Sequence, residues 1–200
     1  MFGMEIMTPR GRAVVEVDEA AEPRFLFVLT HGSAGGVESP DLLAVRDATV
    51  AIGGTVARVL QPFRVAGARA PGSPARQDEA WTSITASLGE KFPGLPLVQG
   101  GRSNGARVAC RTARAVGAAA VVALAFPLHP PGKPGRSRAQ ELREAGVDVL
   151  VVSGDRDRFG IPERADAARL VVLAGEGHDL NRDPARVGEV VAEWLGPRFS

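Results

Sequence analysis

The composition of this chain is that of an ordinary globular protein. Of its 200 residues, 44% are hydrophobic and 24% are charged, and 24 basic against 23 acidic residues leave a net charge of +1. This balance argues against a protein that binds nucleic acid or an anionic membrane surface, so we expect neither partner. A chain of this length can bury a sizeable core, and we expect residues 1–200 to form one domain.

The chain alternates between predicted strands and predicted helices. Continuous apolar runs, such as residues 25–30, are typical of strands that are buried on both faces of a parallel sheet. The predicted strands comprise residues 12–17, 25–30, 55–63, 95–100, 119–126, 147–153 and 169–173. The predicted helices comprise residues 41–52, 75–91, a stretch that follows Gly105, and residues 136–145, 162–168 and 184–195.

This alternation predicts an α/β fold with a mainly parallel central sheet of about seven strands and helices on both faces. In such sheets, ligands collect at the carboxyl ends of the strands, where the connecting loops meet. Four segments with candidate chemistry follow strands in this way: residues 31–36, Ser103, residues 155–157 and His178. We therefore expect these segments to lie together at one edge of the sheet.

The sequence carries no sign of a targeting segment or a membrane span. Residues 1–12 lack the apolar core of a signal peptide, and the longest apolar run, residues 117–128, is too short to cross a bilayer. Cys110 is the only cysteine, which leaves no internal disulfide and favours the reducing cytoplasm. We expect Cys110 to be a small side chain of the core.

The predicted central strand leads into a Gly-x-Ser-x-Gly pentad, residues 101–105. Strand, sharp turn and helix is the context in which a serine becomes a nucleophile. The turn strains the serine backbone so that the hydroxyl stands clear of the sheet, and the flanking glycines avoid clashes with strand and helix. The helix that follows directs free N–H groups and its positive dipole end at the serine. We predict that Ser103 is a nucleophile.

A serine hydroxyl needs a base, and histidine is the usual base near neutral pH. The chain has three histidines, in three separate loops. Only His178 has the chain position of the base in the order serine, acid, histidine, so we predict that it is the base. We expect His31 to be structural, with its ring tied to backbone groups. For His129, lining the pocket and a structural role in its loop are both open.

Two aspartates after the strand at 147–153 could orient His178. Asp157 has the spacing Gly-x-x-Asp, which lets the loop turn back towards the histidine, and we prefer it as the acid. Asp155 is the alternative. We expect the other aspartate to form a weak surface pair with Arg156 or Arg158.

An oxyanion hole needs two preorganised N–H donors. We predict that the backbone of Asn104, directly after the serine, supplies one. The second is expected from the loop at 31–36, at Ser33 or its neighbour Ala34. This loop lacks the Gly-x-Gly-x-x-Gly pattern and the lysine of phosphate-binding loops, and the histidines lack the spacing of metal ligands. We predict no cofactor and no metal.

Taken together, these motifs resemble the α/β-hydrolase superfamily over nearly the whole chain. Residues 29–36, 101–105, 126–134 and 154–160 are similar to a small branch without a lid, often labelled dienelactone-hydrolase-like, which includes testis-expressed and NSL-complex relatives. The run Phe-Pro-Leu-His-Pro-Pro-Gly-Lys-Pro at 126–134 is its most distinctive piece. The resemblance implies an α/β-hydrolase fold without a cap domain, with Ser103 as nucleophile, Asp157 as acid and His178 as base. True dienelactone hydrolases use a cysteine nucleophile, so their substrate is not implied.

Our first hypothesis is a cytoplasmic serine hydrolase, of carboxylesterase or thioesterase type, that forms an acyl-enzyme with a small-molecule acyl substrate. The alternative is a binding or scaffold protein that kept the fold without useful catalysis. In the first case the loops at 64–76 and 127–138 are expected to form the walls of an open pocket. Their arginines could favour an anionic acyl group, although solvated surface charge is the expected role; they are Arg64, Arg69, Arg76, Arg136 and Arg138.

Overall fold

The structure, a computed structural model that describes residues 1–200, is built on one eight-stranded sheet. The strands are β1 (Phe2–Thr8), β2 (Gly11–Asp18), β3 (Phe25–Thr30), β4 (Gly54–Leu60), β5 (Leu97–Arg102), β6 (Ala120–Leu124), β7 (Val149–Gly154) and β8 (Arg169–Leu173). The helices are α1 (Pro40–Ala51), α2 (Pro62–Val65), α3 (Pro74–Lys91), α4 (Asn104–Thr112), α5 (Ala139–Arg143) and α6 (Pro184–Leu195). Short 3₁₀ turns span Arg164–Asp166 and Gly196–Arg198.

The order of the strands across the sheet is β1-β2-β4-β3-β5-β6-β7-β8. All neighbouring pairs from β4 to β8 are parallel, whereas β1 and β2 pair with their neighbours in antiparallel fashion. The prediction of a mainly parallel sheet is confirmed. The strand count differs, eight instead of about seven, because β1 was not predicted. The chain runs from β3 to β4 on one side and then crosses to β5 on the other side of β3, and this reversal makes a crevice at the ends of β3 and β5.

The predicted placement of helices on both faces is also confirmed. Alternate side chains of β3 point to opposite faces: Phe25, Phe27 and Leu29 pack in one cluster, and Leu26 and Val28 pack in another. The first cluster includes residues of α1 and α6, and the second includes residues of α3. A third cluster, under α4 and α5, contains Cys110, which is buried in the core as expected.

Three predicted elements differ from the structure. The strand predicted at 55–63 ends at Leu60, because Pro62 begins the one-turn helix α2. The helix predicted at 136–145 is shorter and covers only α5. The helix predicted at 162–168 is a 3₁₀ turn, in which the carboxylate of Asp166 accepts a hydrogen bond from the backbone N–H of Glu163.

Nothing is inserted over the carboxyl edge of the sheet. The segment between β6 and α5, residues 125–138, contains neither helix nor strand. The fold therefore has no cap domain, as predicted. No helix combines the length and the apolar character that crossing a membrane requires.

Candidate active site

The sharp turn between β5 and α4 holds Ser103 in a strained backbone conformation, with φ 54° and ψ −113°. The N–H of Ser103 donates to the carbonyl of Leu124, 2.9 Å away, which fixes the turn against β6. A Cβ atom on Gly101 would lie 2.8 Å from the carbonyl oxygen of Thr30, and one on Gly105 would lie 2.7 Å from that of His31. The two glycines are therefore required sterically, as the pentad predicts.

Ser103 and His178 lie 75 residues apart in the sequence but share a hydrogen bond, since Oγ and Nε2 are 2.9 Å apart. The other ring nitrogen of His178, Nδ1, lies 2.8 Å from Oδ2 of Asp157. With a proton on Nδ1, that nitrogen donates to the carboxylate, and Nε2 is free to accept from the serine hydroxyl. The three side chains thus form a continuous hydrogen-bonded line.

The two aspartates after β7 have different surroundings. The side chain of Asp157 is fully buried, and its second oxygen, Oδ1, accepts a hydrogen bond of 2.8 Å from the N–H of Phe159. Asp155 is exposed, and its Oδ1 accepts from the N–H of Gly175, 2.8 Å away. Of the two candidates, only Asp157 contacts His178. The surface pair that was expected for the other aspartate is wrong, because Asp155 caps the loop after β8 instead.

A buried glutamate that the sequence analysis did not single out holds the histidine loop. The carboxylate of Glu176 accepts hydrogen bonds from the N–H groups of Arg182 (3.2 Å) and Asp183 (2.6 Å), at the start of α6. Phe159 packs its ring edge against the imidazole of His178, with the ring centres 4.4 Å apart. The position of His178 is therefore fixed from two sides, by its own loop and by the loop after β7.

The two predicted oxyanion donors have backbone N–H groups without a partner in the protein. Asn104 is the first residue of α4, so no carbonyl lies one turn earlier to accept its N–H. The N–H of Ser33 also makes no hydrogen bond. The loop that carries Ser33 lies close to the turn at Ser103, because a Cβ on Gly32 would lie 3.2 Å from the Cβ of Ser103.

The side chain of Asn104 is buried and points towards α3. Its Nδ2 donates to Oε1 of Gln77, 2.8 Å away, and Nε2 of Gln77 donates to the carbonyl of Gly72 at 3.0 Å. The turn after β5 is therefore anchored to the start of α3. Sequence reasoning did not identify Gln77, which carries no motif and stands 27 residues away.

The other two histidines form no hydrogen bond with Ser103. His31 is fully buried; its Nδ1 bonds to the carbonyl of Gly32 at 2.7 Å, and its Nε2 accepts from the N–H of Gln61 at 3.0 Å. Burial lowers the pKa of His31 to about 4, so its ring is neutral. Its expected structural role is confirmed. His129 bonds to the carbonyl of Pro130 at 3.1 Å and does not line the cavity beside Ser103.

A cavity of about 470 Å³ opens beside Ser103. One wall comes from the loop at 127–138, as expected, through Pro127, Pro131 and Arg138. The loop at 64–76 does not reach this cavity, so that part of the prediction is wrong. It lines a second cavity of about 250 Å³, and the bonded side chains of Asn104 and Gln77 stand between the two.

A buried ion pair lies behind the turn that carries Ser103. Nε of Arg102 is 3.3 Å from Oδ2 of Asp41, whose side chain is fully buried. Burial raises the pKa of Asp41 above its ordinary value, and the charge of Arg102 opposes that rise. No group of three or more histidine, cysteine, aspartate or glutamate side chains is placed to hold a metal ion.

The chain is similar to a known family in sequence and to solved structures in fold. A family described as "Alpha/beta hydrolase domain" matches residues 23–184. The solved structure of XC6422 from Xanthomonas campestris, described as an a/b serine hydrolase without lid, is 18% identical, with a TM-score of 0.81 over 99% of this chain and 94% of that one. Est1E from Butyrivibrio proteoclasticus is 16% identical, with a TM-score of 0.79 over 96% and 97% of the two chains.

The dienelactone hydrolase from Anabaena variabilis is 16% identical, with a TM-score of 0.77 over 97% of this chain and 95% of that one. No curated protein matches the sequence. At these identities the likeness to solved structures shows a shared fold, and it leaves the substrate of this chain open.

Proposed function

The chain belongs to the alpha/beta hydrolase domain family, as its motifs predict, and on that premise we propose that it is a serine hydrolase of small acyl esters or thioesters. In this proposal Ser103 is the nucleophile, His178 the base and Asp157 the acid. The backbone N–H groups of Ser33 and Asn104 form the oxyanion hole. The whole of residues 1–200 acts as one catalytic domain in the cytoplasm, with a small-molecule acyl substrate as its partner.

The observation that carries the proposal is the hydrogen-bonded line from Ser103 through His178 to Asp157, with distances of 2.9 Å and 2.8 Å. A serine hydroxyl becomes a nucleophile when a base within hydrogen-bond reach can take its proton, and the base works best when a third group orients it. The strained turn at Ser103 supports the same reading, because strain of this kind is characteristic of nucleophile turns.

The proposed reaction has two halves. In the first, Oγ of Ser103 attacks the acyl carbon while its proton passes to Nε2 of His178. The negative charge that develops on the carbonyl oxygen is stabilised by the N–H groups of Ser33 and Asn104. His178 then gives its proton to the departing alcohol or thiol, which leaves an acyl group on Ser103.

In the second half, water replaces the alcohol. His178 takes a proton from the water, the hydroxide attacks the acyl carbon, and the proton returns to Oγ as the acid departs. The carboxylate of Asp157 stabilises the imidazolium, since it accepts hydrogen bonds from His178 and from the N–H of Phe159.

Labelling with a fluorophosphonate probe tests the proposal directly. The probe reacts with an activated serine, whose Oγ displaces fluoride from phosphorus, and it does not need a known substrate. We expect strong labelling of the purified protein and none of Ser103→Ala or His178→Ala. Matched controls are Ser73→Ala, an exposed serine whose side chain makes no cap hydrogen bond, and His129→Ala, which lies outside the cavity. Both should label as the parent protein does.

Two outcomes contradict the proposal. Absence of labelling in a protein that is folded by circular dichroism means that the triad is inert, and it favours the scaffold alternative. Labelling that survives in Ser103→Ala means that another serine is the reactive one. Positive labelling leads on to panels of ester and thioester substrates.

A further inference from the structure

The cavity beside Ser103 has an excess of positive charge. Among its fifteen lining residues are four arginines, and the only carboxylate is that of Asp179. Two of the arginines have acidic partners. Arg102 lies 3.3 Å from Asp41 and 3.4 Å from Asp179. Arg107 donates to Glu141, from Nε at 2.9 Å and from a second nitrogen.

The other two arginines of the cavity, Arg138 and Arg158, form no ion pair. A protein can leave an arginine unpaired at low cost where water surrounds it. Arg158 is exposed in this way. Arg138, however, is only partly exposed, and its charged neighbours are three arginines (Arg107, Arg111 and Arg136) and one glutamate (Glu141). Burial first, and then the charge of Arg107, lowers its pKa from the ordinary arginine value, although an arginine stays charged at neutral pH. An anion in the cavity would relieve this repulsion.

Both unpaired side chains are held in place by neighbours. One guanidinium nitrogen of Arg138 donates to the carbonyl of Pro127 at 3.3 Å, which leaves its other N–H groups free. The guanidinium of Arg158 stacks over the ring of Phe159, 4.9 Å from its centre, and the same ring packs against His178. Arg158 therefore stands one aromatic ring away from the proposed base.

We propose that the Ser103 cavity is selective for esters that carry a separate carboxylate group, and that Arg138 and Arg158 bind that carboxylate. This inference rests on the proposed function, because the bound carboxylate places the ester beside Ser103. A guanidinium presents N–H groups in a planar fork that matches the two oxygens of a carboxylate. Eleven of the fifteen lining residues are charged, polar or glycine, and the apolar ones are Ala34, Phe159 and two prolines, so most of the lining suits a polar substrate.

Binding to the Ser103→Ala variant tests this selectivity without catalysis. The probes are monoethyl glutarate, which carries one carboxylate, and diethyl glutarate, its neutral counterpart, followed by titration in NMR spectra. We expect the monoanion to bind about a hundredfold more tightly, because Arg138 and Arg158 would each add one charge-assisted contact worth about tenfold. A second pair, 4-acetoxybenzoate and its methyl ester, carries the charge in the alcohol half of the ester. In one of the two pairs the charged probe should bind more tightly, relative to its neutral counterpart, than in the other. That pair shows whether the arginines contact the acyl half or the alcohol half of the ester.

Substitution then assigns the preference to particular residues. Arg138→Gln and Arg158→Gln, each in the Ser103→Ala background, should each reduce the preference for the monoanion by about tenfold. Arg138→Lys, which keeps the charge, should restore a part of it. Arg136→Gln and Arg156→Gln are matched controls, because both arginines are exposed, two residues away along the chain, and outside the cavity. These controls should bind as the Ser103→Ala protein does.

The proposal is overturned if charged and neutral probes bind equally, or if the two control variants weaken binding as much as the cavity variants. Fluorophosphonate labelling reports separately on the serine. A protein that labels but shows no anion preference would keep its hydrolase assignment and lose this one. A protein that does not label but binds the monoanion through Arg138 and Arg158 would keep the anion site and lose the hydrolase assignment.

Discussion

His31 and His178 stand at the same edge of the sheet, after β3 and β8, in opposite surroundings. In each imidazole ring, both nitrogens take part in hydrogen bonds. Those of His31 bond only to backbone groups in a fully buried place, whereas those of His178 contact Ser103 and Asp157 at the edge of a cavity. Hydrogen bonding alone therefore does not distinguish a structural histidine from a candidate base. The two are distinguished by the identity of their hydrogen-bond partners and by access to a ligand.

The largest expected effect follows from removing the imidazole that borders the cavity. His178→Ala should lower kcat by about 10⁴-fold or more, because Ser103 then has no base. His129→Ala should leave kcat within about twofold, since the ring of His129 bonds to the carbonyl of Pro130 and lies outside the cavity. The measurement is kcat on whichever ester the labelled protein hydrolyses fastest. Equal losses in the two variants would remove the proposed distinction between these histidines.

The next effect concerns the carboxylate that makes His178 different from His31. Asp157→Asn should lower kcat by about 10³ to 10⁴-fold, because an amide no longer holds the proton on Nδ1 or stabilises the imidazolium. Asp155→Asn is the matched control, and its expected loss is below about threefold, since it contacts only the N–H of Gly175. Steady-state kinetics of the two variants decide between the aspartates. A larger loss in Asp155→Asn would assign the acid to that residue.

Whereas His178 should affect the rate of the reaction, His31 should affect the stability of the fold. The effect of His31 on stability depends on pH. Burial, together with the charges of Arg64 and Arg102, lowers the pKa of His31 from 6.5 to about 4. Between these values the unfolded chain binds a proton that the folded protein does not, so the free energy of unfolding falls as the pH falls. Through this group alone the loss reaches about 3 kcal/mol near pH 4.

Urea denaturation at a series of pH values measures this effect. Carboxylates titrate in the same range, so we compare the free energy of unfolding of the parent protein with that of His31→Gln at each pH. The difference between these two free energies should change by about 3 kcal/mol between pH 7 and pH 4. A difference that stays constant with pH would mean that His31 is not held neutral by its surroundings.

The smallest effect concerns the hydrogen bond between Asn104 and Gln77, which anchors the turn after β5. Asn104→Leu and Gln77→Leu should each lower the free energy of unfolding by about 1–3 kcal/mol, because each leaves a buried amide without its partner. The double variant should cost less than the sum of the two, by about 1 kcal/mol, as expected for side chains in direct contact. Denaturation of the three variants gives this coupling. Strict additivity would show that the 2.8 Å bond contributes nothing to stability.

Sequence reasoning succeeds where a local pattern fixes the outcome. Gly101 and Gly105 have no room for a Cβ, and that requirement is visible in five consecutive residues. The apolar run of β3 predicts a strand buried on both faces because it has no polar side to expose. By contrast, β1 was missed, since its buried face is short and alternates with exposed residues such as Met7.

The contacts that sequence reasoning missed join distant parts of the chain. Gln77 meets Asn104 across 27 residues, and neither belongs to a pattern that names the other. This bond also explains the wrong prediction for the loop at 64–76. The two amides close the space between that loop and Ser103, so the loop borders its own cavity. Hydrogen bonds between side chains of different elements decide which loop borders a site, and local sequence patterns do not predict such bonds.

The backbone of Ser103 has a consequence for how such a protein can change over generations. A φ of 54° strains any side chain at this position, at a cost of roughly 1–3 kcal/mol, whereas glycine would give up only roughly 0.5–1 kcal/mol to its greater freedom when unfolded. Selection for stability of the fold alone would therefore replace the serine with glycine. A lineage that keeps a serine there accepts a less robust fold in exchange for a hydroxyl.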